Sequence, residues 1–172
     1  MNILENGTAK KCPSNSENYC WLTLRAVALG VAIACINLAM SPIFEYLIPP
    51  RYAGHNAGEE LFRTGSTAGI FIMGGFFIPL FETIIAQTIP IEILRRLKFP
   101  SWFSAFVSTM YFSFGHYRNG GLMHAATSMV AGAFFSGIYI HFRSCSMRRA
   151  YYVTAMTHCT NNVFLFILSM LE

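Results

Sequence analysis

The chain has 172 residues, 54% of them hydrophobic, 15% aromatic and only 12% charged, with a mean hydropathy of +0.45 and a formal net charge of +4; an average soluble domain carries about twice that share of charge. This composition argues for a membrane protein and leaves too little chain between apolar runs for a separate soluble domain. It also argues against a nucleic-acid surface, because no basic face with interleaved aromatics occurs outside short turns.

The expected fold class is all-α: a polytopic membrane helical bundle of about five transmembrane helices, forming one domain over 20–172 behind a polar segment at 1–19. That segment, "MNILENGTAKKCPSNSENY", lacks an apolar core, so no cleavable signal peptide is expected and the first helix serves as the insertion signal. Apolar runs follow near 20–48, 66–94, 99–116, 122–142 and 150–171, each long enough to span at 1.5 Å rise per residue. Between the first two runs lies "GHNAGEELFR". His55 with Glu59 and Glu60 has a spacing that can hold a metal, but Gly54, Gly58 and the position before an apolar run favour a solvated re-entry segment.

Basic residues mark the turns. Lys10, Lys11, Arg25, Arg95, Arg96, Lys98, Arg143, Arg148 and Arg149 fall on one side, against Arg51, Arg63 and Arg118 on the other. This excess predicts a multi-pass integral protein of the cell membrane with a cytoplasmic N-terminus. Cys12, Cys20, Cys35, Cys145 and Cys159 are scattered without C-x-x-C spacing, which predicts neither a disulfide framework nor a zinc knuckle.

Within the runs, the polar side chains that stand out are Glu82 in "PLFETIIAQTIP", His116, His124 and His141 at the ends of the fourth run, and His158, Asn161 and Asn162. Ionisable groups at membrane depth are functional candidates by default. The alternative for each alone is a hydrogen bond between helices, contributing about 0.6 to 2 kcal/mol. Depth favours a shared site. Counted from the basic turns, Glu82 and Asn162 lie roughly 20 Å up, His116 roughly 24 Å and His158 roughly 14 Å. His124 and His141 sit where interfacial side chains are common and are set aside.

The chemistry narrows by elimination. The chain contains no aspartate, which rules out a paired-aspartate mechanism and a Ser-His-Asp triad. It lacks H-E-x-x-H and G-x-S-x-G, the marks of zinc proteases and of nucleophile elbows. A glutamate, two histidines and an asparagine are the parts of glutamate-assisted hydrolysis, in which a carboxylate and an imidazole activate water while other donors stabilise the oxyanion. His158 and Asn162 are four apart and share a helix face, as do Phe112 and His116. A small transporter is disfavoured by the odd helix count and the absence of repeats.

Three motifs carry a family resemblance. Pro79, Glu82, Thr83 and Gln87 occupy the frame of E-E-x-x-x-R; Phe112 and His116 match F-x-x-x-H; His158 and Asn162 match H-x-x-x-N. Together, over 79–162, they resemble the CAAX-protease and bacteriocin-processing (CPBP) intramembrane endopeptidases. "GEELFRTG" at 58–65 looks similar to the first motif but is one residue too short between Glu60 and Arg63. The resemblance implies that Glu82 and His116 activate water and that His158 and Asn162 stabilise the oxyanion, acting on a membrane-associated peptide or protein in the lipid bilayer. It leans toward a metal-free mechanism. Glu82 with the two histidines has the donor types of a zinc site, and no cofactor is assigned. Thr83 and Gln87 replace the family's second glutamate and its arginine; as a neutral pair four apart they are expected to hydrogen-bond each other as structural support. The alternative reading is a non-hydrolytic family member that binds a membrane partner or confers bacteriocin self-immunity.

Overall fold

A computed structural model describes residues 19–54 and 66–171. His55, Glu59 and Glu60, and the basic residues Lys10, Lys11 and Arg63, lie outside the described residues. Among the described residues the fold is all-α, with no strand. The helices are α1 (Tyr19–Leu47), a single turn α2 (Pro50–Ala53), α3 (Thr67–Arg96), α4 (Ser101–Arg143) and α5 (Met147–Ser169).

The runs at 99–116 and 122–142 become the two arms of α4, which continues through its bend without a loop. Gly120 (φ −153°, ψ 16°) and Gly121 (φ +72°, ψ −164°) make that bend; the second of these conformations is open to glycine at no steric cost. The arms then lie antiparallel. Ser108 Oγ meets Ser136 Oγ at 2.8 Å, and Ser113 Oγ donates to the Ala125 carbonyl at 2.9 Å. Gly54, with φ +87°, abuts the bend so closely that a Cβ on it would lie 2.5 Å from Gly121 Cα. The end of α2 is thereby pinned to the apex of α4.

Among the described residues three helices, α1, α3 and α4, are long and apolar enough to cross a membrane. The fifth apolar run, expected to span as well, is less apolar because α5 carries Thr154, Thr157, His158 and Asn161, all buried. α5 packs along α1 and α4, so its polar face is turned into protein, where His158 and Asn161 Nδ2 find hydrogen-bond partners.

Close approach of α1 and α5 depends on one missing side chain. A Cβ at Gly30 would lie 2.6 Å from the Thr157 carbonyl oxygen and 2.6 Å from Thr160 Cβ. Backbone cannot yield as a flexible side chain can. Gly30→Val is therefore expected to cost about 1–3 kcal/mol through overpacking, read as a lower unfolding midpoint of the purified protein. An unchanged midpoint would show that α1 and α5 are free to separate.

At the basic end, Glu92 of α3 ties the turns together. Its carboxylate accepts from Arg143 Nε and from Arg143 Nη2 at 3.0 Å, and from Tyr139 Oη at 3.2 Å, with Arg95 at 3.7 Å. A forked guanidinium–carboxylate contact fixes direction as well as distance. The basic residues of 95–98 and 143–149 consequently share one end of the bundle. Deeper in, Ile33, Ala86, Phe112, Ala131 and Phe135 form an apolar cluster drawn from α1, α3 and both arms of α4. That cluster is the floor under His116 and His158, whose rings pack on Phe112 and Phe135.

Candidate active site

The site begins with the shape of α3. Two π-helical stretches, Met73–Phe77 and Thr83–Thr88, flank one α-helical turn, Ile78–Glu82. Each π stretch ends two residues before a proline, Pro79 or Pro90. In a regular α-helix the proline ring collides with the carbonyl four residues back and the hydrogen bond is lost. A widened turn relieves that collision, and such turns are frequent at functional sites.

The widening leaves a carbonyl free. Ile78 N–H reaches back five residues to the Met73 carbonyl. The next donor in that register would be Pro79, which has no N–H, so the Gly74 carbonyl is left open. Asn162 of α5 fills it, with Nδ2 donating to Gly74 O at 3.1 Å. Gly75 allows this approach, since a Cβ there would lie 2.9 Å from Val163 Cγ2.

Glu82 closes the short α turn and faces two imidazoles. Its Oε1 lies 3.8 Å from His116 Nε2 on the first arm of α4, and its Oε2 lies 3.6 Å from His158 Nε2 on α5. Burial is graded: the His158 side chain is 2% exposed, His116 16% and Glu82 29%. Each ring is held from its far side. His116 Nδ1–H donates to the Phe112 carbonyl at 2.9 Å. Thr83 Oγ1 gives its single proton to the Pro79 carbonyl at 2.7 Å, so it accepts from His158 Nδ1–H at 3.3 Å. Both neutral rings therefore present an Nε2 lone pair toward Glu82. Aromatic faces lock them further: the Phe112 ring centre is 4.4 Å from that of His116, and the Phe135 ring centre is 4.4 Å from that of His158.

The expected Thr83–Gln87 hydrogen bond does not form. Thr83 is committed to Pro79 and His158, and the π stretch over Thr83–Thr88 breaks the four-residue register that would have paired them. Gln87 is fully buried, and neither its Oε1 nor its Nε2 has a hydrogen-bond partner. Thr83 thus links its own helix, through Pro79, to a histidine of α5 rather than to Gln87.

A family model described as type II CAAX prenyl endopeptidase Rce1-like matches residues 64–164. The chain belongs to this family. The match covers Glu82, His116, His158 and Asn162 and begins beyond Glu59 and Glu60. No curated protein and no solved structure matches the chain. The Rce1-like match and the apolar helices together make this a membrane protein of the CAAX-protease type.

Around the paired imidazoles, this Rce1-like chain has a cavity of about 260 Å³ whose lining includes Asn37, His116, His124, His158, Asn161 and Asn162. A second cavity, about 350 Å³, reaches Glu82 past Tyr111, Arg118 and Asn119, and His116 borders both. His124, set aside in the sequence as a helix-end residue, belongs to the site: its ring centre is 4.9 Å from that of His116. The signal for it was the adjacent glycine pair, because a Cβ on Gly120 would collide with the His124 ring. Asn37, on α1, had no motif to betray it. Among the described residues no group of three or more His, Cys, Asp or Glu side chains is arranged to hold a metal ion.

Proposed function

We propose that this Rce1-like protein is an intramembrane endopeptidase that hydrolyses a peptide bond in a membrane-associated, CAAX-type substrate. The observation that supports the reading most directly is the carboxylate of Glu82 set between two Nε2 atoms at 3.6 and 3.8 Å. Those separations are too long for direct hydrogen bonds and suit one bridging water.

In this reading a water molecule between Glu82 and His116 donates its protons to the carboxylate and to His116 Nε2, so its lone pair points at the substrate carbonyl. Attack passes one proton to Glu82, the general base. The negative charge that develops on the carbonyl oxygen needs donors. Asn162 keeps a second Nδ2 hydrogen beyond the one given to Gly74. The proton Glu82 takes from water passes on to the adjacent His158 Nε2 as the oxyanion forms, making that nitrogen a donor, since its Nδ1–H is already committed to Thr83, and it returns to Glu82 as the intermediate collapses. Glu82, beside His158, is positioned to return a proton to the leaving amine as the carbon–nitrogen bond breaks. Thr83 is a positioning residue.

The direct test is incubation of the wild-type protein in lipid nanodiscs with a farnesylated peptide ending in a CAAX sequence, with mass spectrometry of the products. Release of the C-terminal tripeptide is the expected result. An intact peptide under conditions where it binds would overturn the endopeptidase reading and favour a non-hydrolytic binding or immunity protein built on the same pocket.

A further inference from the structure

We propose that the cavity beside His116 and His158 is a peptide-backbone subsite, in which N–H groups of an extended substrate are donated to Asn161 Oδ1 and Asn37 Oδ1. The nature of the ligand rests on the endopeptidase reading, whereas the polarity of the subsite at Asn161 follows from hydrogen-bond bookkeeping. The Gly74 carbonyl can only accept, so Asn162 must present Nδ2 to it. Asn162 Oδ1 then accepts from Asn161 Nδ2 at 3.0 Å. This relay leaves Asn161 with its carbonyl oxygen over. Asn161 is 4% exposed and its Oδ1 has no partner; Asn37, 8% exposed, also has an unpartnered Oδ1.

Buried acceptors without donors are unfavourable, and a donor entering the adjacent cavity would satisfy them. Asn37 and Asn161 both line the same cavity of about 260 Å³, which is larger than one water requires. The lining itself contains no carboxylate, and neutral N–H donors suit neutral carbonyls. Leu38, Phe112, Phe135 and Leu165 complete the walls and suit aliphatic side chains. Backbone donors are also what a site must hold when it accepts chains of differing sequence. Asn161 is one residue from Asn162 and three from His158, so chain held there passes next to the reacting carbonyl.

The test uses the full-length Glu82→Gln protein in lipid nanodiscs, so that binding is read without turnover. The probe is a fluorescent farnesylated CAAX peptide, compared with versions in which each of the last three backbone amides is replaced in turn by an ester, which removes an N–H and keeps the shape. One ester is expected to weaken binding about tenfold, as the loss of one hydrogen bond to a buried partner. Asn161→Ala, or Asn37→Ala, should weaken the amide peptide similarly and show no further loss with the matching ester. Esters without effect, meaning a water-filled cavity, overturn the proposal, and so do fully additive losses or an absence of binding. N–H-dependent binding with no cleavage by wild type would sink the endopeptidase reading and leave the subsite standing. Cleavage with ester-insensitive binding would do the reverse.

Discussion

Glu82→Gln is expected to lower peptide cleavage by about 10²–10⁴-fold, the range typical of a lost general base. The substitution keeps the size and shape of the side chain and removes only its capacity to take a proton. Little else depends on that carboxylate: its neighbours are His116 Nε2 and His158 Nε2, at separations too long for direct hydrogen bonds, and α3 is anchored elsewhere. Those anchors are Ser108 Oγ donating to the Ala86 carbonyl at 2.7 Å and the Glu92–Arg143 contact. Helix content and unfolding midpoint should therefore stay at wild-type values while turnover of the farnesylated peptide collapses. Unchanged turnover would remove Glu82 from the mechanism.

His158→Ala is expected to cost about 10²–10³-fold in kcat, the usual loss on deleting an oxyanion donor. Thr83 distinguishes orientation from chemistry. Thr83→Val keeps the shape but takes away the oxygen that accepts from His158 Nδ1–H, freeing the ring to exchange tautomers. It should show a smaller loss of kcat, about tenfold, the scale of one hydrogen bond, with KM little changed. Thr83→Ser restores the oxygen and should recover most of the rate. If Thr83→Val and Thr83→Ser were equally impaired, Thr83 would be serving packing alone, and the tautomer argument would fall.

Much of the site's location was legible from depth. Helices rise a fixed distance per residue, so counting from shared basic turns placed Glu82, His116 and His158 at comparable heights, and the structure brings their side chains within 4 Å. The Thr83–Gln87 pair failed by the same arithmetic. Four-residue spacing implies contact only on an α-helix, and α3 becomes π-helical over Thr83–Thr88. The prolines that accompany the widened turns are plain in the sequence. How the first turn accommodates Pro79 is settled by the partner the freed Gly74 carbonyl finds, and that partner, Asn162, lies on another helix.

The amino-acid sequence by itself determined that this protein is an α-helical membrane chain, where its apolar runs fall, and which few polar side chains they enclose, because hydropathy and rise per residue are local properties. Only the tertiary structure decided which groups meet and in what sense their hydrogen bonds run. Asn162 donates to Gly74 because Pro79 has no N–H to offer, and Asn161 is left as an acceptor because Asn162 is already directed. His124 and Asn37 join the cavity because α4 folds back at Gly120–Gly121 and α1 lies alongside. Spacing along a chain cannot encode such things, since a hydrogen bond between helices depends on the rotation and approach of both, and these are set by the packing of the whole bundle.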